Sequence, residues 1–464
     1  MTMRTTSVSG KRLAAAGALL CIAGVAHAQP EGSTPWMVVP SPNGGPQPLG
    51  NTLNAVEALS PTDAWAVGFH YNPAHCEYCP TPLSMHWNGA AWSLVSTPAI
   101  PEAQKAQLDD IDAVSSTDIW AVGWGINNNC GLCGWTVIQH WDGSSWTRAQ
   151  SPNPGLANAL YGVAAVSATD VWAVGDQWLS FSAKVPLIVH YDGAAWTPVA
   201  YPPIEYGQLD SVFALGANDV WAVGVAGVIS TGIRGLAFHW DGASWTEVPL
   251  PHEPGGYIWL RSISGVASND VWAVGVYKYV NHNGHAIASA RTWHWDGTSW
   301  SRVPQSGVGG HDSRMYGVHA ISSDDVWAVG GGDPPLGSNL AFEYQTVHWD
   351  GVRWSRVENP NQAVLLAVGG SSRSDVWAVG WGMDSLGYST GTHTLHHNGS
   401  PPLCYANCDR SATPPALNVQ DFSCFLARFA AWDPYANCDG STEWPEFNVQ
   451  DFSCFLTRYA AGCP

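Results

Sequence analysis

One phrase, Asp-x-Trp-Ala-Val-Gly, begins at Asp63, Asp118, Asp170, Asp219, Asp270, Asp325 and Asp375, spaced by about fifty residues. A second, His-x-(Asp/Asn)-Gly, follows it each time, at His86, His140, His190, His239, His294, His348 and His396. Two landmarks in fixed order at a fixed period mean one supersecondary unit copied seven times, and this constrains the fold more than any other feature of the chain. Each copy divides into four short strands. Stretches such as Leu160–Val166 are apolar at both parities, as a strand covered on both faces must be. Trp-Ala-Val-Gly is the second strand, the residues entering His-Trp-Asp-Gly the third, and Trp-Thr-x-Val the fourth, with hairpin-type turns between first and second and between third and fourth. Four antiparallel strands in a unit of this length are the blade of a β-propeller, so the expectation is an all-β, seven-bladed propeller.

The fourth strand opens on Trp92, Trp146, Trp196, Trp245, Trp300 and Trp354, but the seventh copy stops at His396-His397-Asn398-Gly399 and runs into Ser-Pro-Pro. The missing strand stands at the other end of the chain. Trp36-Met-Val-Val-Pro-Ser-Pro matches Trp92-Ser-Leu-Val-Ser-Thr-Pro and lies about as far ahead of Leu53 as Trp92 lies ahead of Leu108. The N-terminal strand is therefore expected to complete the last blade, which removes an exposed sheet edge.

The Asp-x-Trp-Ala-Val-Gly and His-Trp-Asp-Gly-x-x-Trp units resemble the repeats of secreted bacterial propellers, over about residues 35 to 399. The resemblance implies the fold and no particular activity. Kelch repeats share the period, but their diglycine is absent here, and Gly directly after Asp fits the sialidase Asp-box poorly.

A residue found in every copy belongs to the scaffold, because a catalytic or binding group is needed once. The repeated aspartates are expected to cap turns through backbone N–H groups, and the repeated histidines to bridge strands. Candidates for function are then the unrepeated residues. In a four-stranded meander the second-to-third and fourth-to-next-first connections emerge on one face, and these are the connections that vary. They place Trp124, Trp178 and Trp381 on that face. The residue after each leading Leu or Met, at Asp109, Tyr161, Asp210, Arg261 and Tyr316 with Asn54 and Leu366, should ring the mouth of the central channel. Aromatic faces among carboxylates, amides and an arginine suit a polar ligand such as a glycan, a peptide or a protein segment. No nucleophile motif, metal quartet or cofactor fingerprint appears, so no catalytic residue is assigned and non-catalytic recognition or scaffolding is the expected role. The alternative is a secreted carbohydrate-active hydrolase or lyase, with Asp109, Asp110 and Asp112 furnishing carboxylates across the channel from Asp210.

Location follows from the N-terminus. Arg4, Lys11 and Arg12 precede an apolar run from Leu13 to Val25 that ends in Ala26-His27-Ala28, the pattern of a secretory signal peptide over residues 1–28. A secreted or cell-surface protein is expected, with no membrane span in the remainder. Those three basic residues come from a total of 18 Lys and Arg, against 37 Asp and Glu. A mature chain this acidic repels polyanions, which excludes nucleic acid as a partner.

An exported chain meets oxidising conditions, so its remaining cysteines are expected to pair. Cys76-Glu-Tyr-Cys79 and Cys130-Gly-Leu-Cys133 fall in the same loop of adjacent units. Each pair can close its own turn as a disulfide, or the four thiolates together can hold zinc, with His75 nearby; export favours disulfides. No helix follows either pair, which argues against a thioredoxin-type redox role.

After the propeller unit (residues 29–400), a different repeat of about thirty residues fills 401–464. Tyr405-Ala-Asn-Cys408-Asp and Asn418-Val-Gln-Asp421-Phe-Ser-Cys424-Phe-Leu return as Tyr435-Ala-Asn-Cys438-Asp and Asn448-Val-Gln-Asp451-Phe-Ser-Cys454-Phe-Leu. Asn418 and Asn448 read as helix N-caps, and Phe422, Phe425, Leu426 and Phe429 share one helical face, as do Phe452, Phe455, Leu456 and Tyr459. This duplicated loop–helix unit resembles the dockerin family, in particular the disulfide-bearing C-terminal tails of secreted planctomycete proteins. The resemblance implies calcium held by Asn407, Asp409 and Asp421 and by Asn437, Asp439 and Asp451, and docking onto a cohesin-like surface partner. A tyrosine at the first ligand position, Arg410 in place of glycine and longer loops depart from the family pattern. Symmetry between the copies suggests Cys408 with Cys424, Cys438 with Cys454 and a clasp from Cys404 to Cys463, one of the 15 connectivities that six cysteines allow.

Overall fold

The computed structural model describes residues 36–45, 50–71, 79–127, 134–227, 232–251, 253, 255–280, 286–305, 313–332, 343–360, 363–383, 389–398, 419–430 and 455–456. Almost everything described is strand. Five antiparallel sheets hold four strands each, and a sixth holds eight, being two four-stranded meanders joined by one parallel bridge from Ala157 to Gly134. Inside each meander the strands pair in chain order, as in Gly207–Gly216, Asp219–Ala226, Arg234–Trp240 and Trp245–Glu247. Neighbouring meanders pack face to face along the chain and the last packs on the first, which makes the body a β-propeller.

The recurrent glycine has a steric cause. In every inner strand the pairing register slips by one at the residue after the leading Leu or Met, for example between Leu209 and Ser211, so one residue bulges out of the ladder. The glycine that ends Trp-Ala-Val-Gly lies opposite this bulge. A Cβ on Gly224 would come within 2.1 Å of the Gln208 carbonyl oxygen, and one on Gly175 within 2.0 Å of the Ala159 oxygen. No side chain fits there, so the repeat keeps Gly while the bulge turns Asp210 and its counterparts toward the channel.

Between sheets the repeated tryptophan does the packing. Trp172 stacks on His190 of its own meander, with ring centroids 4.2 Å apart, and meets Trp245 of the next edge-to-face at 5.3 Å and 84°. The same pair recurs as Trp65 with Trp146, Trp120 with Trp196, Trp221 with Trp300 and Trp272 with Trp354. Closure follows this rule. Trp327 meets Trp36 at 5.3 Å and 85°, and Trp377 meets Trp92 at 5.1 Å and 83°. Strand Met37–Val39 pairs antiparallel with Ser389–His397, Met37 opposite His396, so the N-terminal strand completes the last sheet as the repeat count required. Trp36 is 1% exposed.

The repeated histidine and aspartate bind each other, which corrects the expectation that the aspartate caps the turn. His Nε2 lies 2.7 to 2.9 Å from Asp Oδ1 in His86–Asp63, His140–Asp118, His190–Asp170, His239–Asp219, His294–Asp270, His348–Asp325 and His396–Asp375. The first-to-second turn is closed instead by its serine, as where Ser167 Oγ accepts the Thr169 N–H, and the third-to-fourth turn is capped by the aspartate of His-x-Asp-Gly: Asp192 Oδ1 accepts the N–H groups of Ala194 and Ala195, while Gly193 takes the positive φ of 90°.

In the tail, Val419–Ala430 is a helix, as the N-cap pattern predicts. Phe425 and Phe455 are buried and stacked, with centroids 4.1 Å apart. Leu426 and Leu456, placed on the same face by sequence periodicity, are exposed instead, since the phenylalanine pair occupies the contact between the two repeats. Among the described residues, no helix is long and apolar enough to cross a membrane.

Two substitutions test this framework. Trp36→Ala removes a buried indole from the closing contact and is expected to cost about 3–5 kcal/mol, read as a lowered thermal midpoint with increased self-association. Gly224→Ala forces a Cβ against backbone and should cost ~3 kcal/mol, whereas Gly216→Ala, where a Cβ meets nothing within 4 Å, should leave the midpoint within a degree or so of the parent.

Candidate functional site

The inner strands enclose a cavity of about 420 Å³ on the propeller axis. Asp109, Tyr161, Asp210, Arg261 and Tyr316 all line it, together with Asn54 and Leu366, because each is the bulged residue of its strand. Trp124, Trp178 and Trp381 are not among the lining residues; they sit half-buried toward the ends of second strands, paired with Gln107, Ala157 and Val364. The sequence reading placed them in loops, but the second strands run further than the repeated phrase and absorb them.

A continuous polar chain crosses the mouth. The Tyr161 hydroxyl donates to Asp176 Oδ2 at 2.8 Å, and Lys184 Nζ lies 2.9 Å from the same oxygen. Lys184 also donates to Gln208 Oε1 at 2.6 Å, and Gln208 Nε2 donates to Asp210 Oδ1 at 2.8 Å. Asp210 further accepts Arg261 at 3.2 Å and the Trp259 indole N–H at 2.8 Å. Arg261 sits over the Trp259 ring, its guanidinium carbon 3.8 Å from the ring centroid. Burial and the Asp176 carboxylate push the Tyr161 phenol far above its ordinary value, so it stays a hydrogen-bond donor.

Deeper in the channel the acids of the second inner strand serve the fold. Asp110 Oδ2 accepts the Val163 N–H at 2.9 Å and Asp112 Oδ2 the Ala165 N–H at 2.7 Å, tying one inner strand to the next. Ser262 and Ser264 occupy the same two places in their own strand and accept the Val318 and Ala320 N–H groups. Burial raises Asp110 to about 8, against the help of the Val163 and Ile111 amides, and raises Asp112 to about 6. Asp109 rises to about 7, also through burial. Glu57, half-buried, is raised as well, by burial first and then by the Asp112 and Asp110 carboxylates. Asp210 is raised because burial outweighs Arg261 beside it.

Sequence reasoning missed Trp259, Lys184, Gln208 and Glu57. A usable signal existed for three of these: Trp259 and Gln208 stand just before the leading Leu, and Glu57 four residues after it, positions whose residue types differ between copies. Lys184 carries no such mark, since it lies in a hairpin whose length is particular to its own unit.

Of the cysteines, Cys79 is buried and disulfide-bonded, and Cys424 lies on the tail helix. Cys76, Cys130, Cys133, Cys404, Cys408, Cys438, Cys454 and Cys463 fall outside the described residues. So do the calcium candidates Asn407, Asp409, Asn437, Asp439 and Asp451, while Asp421 falls in the helix Val419–Ala430.

No family model and no curated protein matches the chain. Among solved structures it is similar to YCF48 bound to D1 peptide, with a TM-score of 0.47 and 12% identity over 78% of this chain and 97% of that one. It is also similar to YCF48 from Cyanidioschyzon merolae, with a TM-score of 0.46 and 14% identity over 78% and 99%. No residue role is transferred at these scores.

The buried acids set a pH dependence. An acid that keeps its proton in the folded chain to about pH 8 loses folded-state stability as pH climbs from the usual carboxylate range to that value. Asp110→Asn retains an oxygen for the Val163 amide and removes this penalty. The variant's thermal midpoint should exceed the parent's by a margin that grows from near zero at about pH 4 to its maximum above about pH 8; a margin independent of pH would contradict the assignment.

Proposed function

We propose that this protein is a secreted recognition or scaffold protein, a seven-bladed propeller that binds a glycan, peptide or protein segment at its channel mouth and is tethered through its tail. The observation that carries this reading is the Tyr161–Asp176–Lys184–Gln208–Asp210–Arg261 chain: polar groups fixed in position by one another, beside the flat face of Trp259. Such a surface binds without paying to order its side chains. The carboxylates of a hydrolase are less well served. Asp110 and Asp112 are committed to backbone amides, and Asp210 to an arginine and an indole.

The tether rests on the resemblance of the tail to dockerins, and the donors it offers, Asn and Asp oxygens, are those calcium takes. Asn407, Asp409 and Asp421, with Asn437, Asp439 and Asp451, would hold the ion and a cohesin-like surface protein would be the partner. Disulfides among the loop and tail cysteines would agree with export from the cell, and Cys79 is so bonded.

Screening the full mature chain on glycan and peptide arrays, alongside Arg261→Ala and Tyr161→Phe, tests the mouth. Ligands retained by the parent should be lost or weakened by about tenfold in Arg261→Ala; ligands held equally by all three would place binding elsewhere.

A further inference from the structure

The channel holds more acidic groups than its own cations answer. Asp210 has Arg261, and Asp176 has Lys184. On the first two inner strands, Glu57, Asp109, Asp110 and Asp112 line the same cavity, and no lysine or arginine is among the groups that act on any of them. Two of these acids also lack donors. Asp109 Oδ1 takes the Gln107 amide at 2.6 Å, but its Oδ2 is buried with no hydrogen bond. Glu57 feels burial and the Asp112 and Asp110 carboxylates, with no hydrogen bond from a described residue to relieve it. A buried oxygen without a donor costs about 1–3 kcal/mol, so Asp109 Oδ2 is unsatisfied until something brings an N–H group to it.

The arrangement narrows what that is. A metal ion gathers several oxygens at about 2.3–2.6 Å, and among the described residues no three His, Cys, Asp or Glu side chains converge to hold one. Asp110 and Asp112 alternate along a strand, roughly 6–7 Å apart at the backbone. A row of carboxyls spread in this way suits a head that points several N–H groups in different directions from the end of an alkyl stem. Lys184 and Arg261 at the mouth do not bar a cation from entering, since each is already matched by an acid.

We propose that Glu57, Asp109, Asp110 and Asp112 form a receptor for an organic cation, the ammonium or guanidinium head of a basic peptide side chain or of a free polyamine. The assignment rests on the reading of the mouth as a binding site and names the chemistry that the channel beneath it takes.

The test is calorimetric titration of the full mature chain at neutral pH with three probes: a blocked Ala-Arg-Ala peptide, its citrulline counterpart and spermidine. The arginine peptide or spermidine should bind with release of protons, because a cation displaces those the acids hold. The citrulline peptide should bind at least about tenfold more weakly than the arginine peptide. Glu57→Gln/Asp109→Asn, which breaks no backbone tie, should weaken the cationic probes by a similar factor while melting no lower than the parent. Spermidine binding without the arginine peptide would assign the site to a free polyamine. Equal binding of arginine and citrulline peptides overturns the proposal without need of any variant, as does failure of both cationic probes. Array ligands that depend on Arg261 but not on Glu57 and Asp109 would leave the mouth reading standing and remove this one.

Discussion

The edge-to-face contact between the tryptophan of one sheet and the opening tryptophan of the next sheet's outer strand is what the rest of the molecule depends on. A single four-stranded meander has two apolar faces and cannot bury either alone. Each Trp–Trp contact joins a second strand to the outermost strand of its neighbour, so it fixes how far the two sheets splay. Repeated around the axis, that splay leaves the inner strands enclosing a channel. Trp36 makes the contact that no C-terminal residue supplies, and its burial against Trp327 and His397 binds the two ends of the body together.

Within each sheet the tryptophan is itself held by a neighbour. The histidine opposite it in the ladder stacks on its ring and is anchored by the aspartate that opens the repeated phrase, so three repeated residues act as one unit. This explains why residues that look catalytic in isolation recur in every copy. Their number matches the number of four-stranded meanders to be packed, not the number of reactions to be run.

The channel shows the opposite logic. Its wall is formed by positions at which the copies differ, and the bulge presents them to the axis while glycine keeps the opposing strand out of the way. Some of the variation is itself structural: Asp110 and Asp112 in one strand and Ser262 and Ser264 in another satisfy amides of the next inner strand by different means. What is left after that work is done, Asp109, Glu57 and the Tyr161–Arg261 chain, is the part free to meet a ligand.

Counting two phrases along the chain was enough to foresee the strand order, the hairpin turns, the closing role of Trp36 and the seven residues, one per unit, that line the mouth, because each follows from a position inside a repeat of fixed length. Three readings went differently, for one reason. The histidine–aspartate bonds, the exposure of Leu426 and Leu456, and the place of Trp124, Trp178 and Trp381 in second strands instead of loops all turn on what pairs or packs across strands or helices, and periodicity along a chain carries no such information. The partners of Asp210 show the difference most plainly. Its place at the mouth was written in the repeat, but Gln208 comes to it from its own strand and Trp259 and Arg261 from the next inner strand, while Lys184 reaches Gln208 from a hairpin of the preceding meander. Sequence determined where the chain must turn and pair, since those are local and periodic matters; only the folded ring decided which charges face one another, since that depends on distances between strands far apart in the chain.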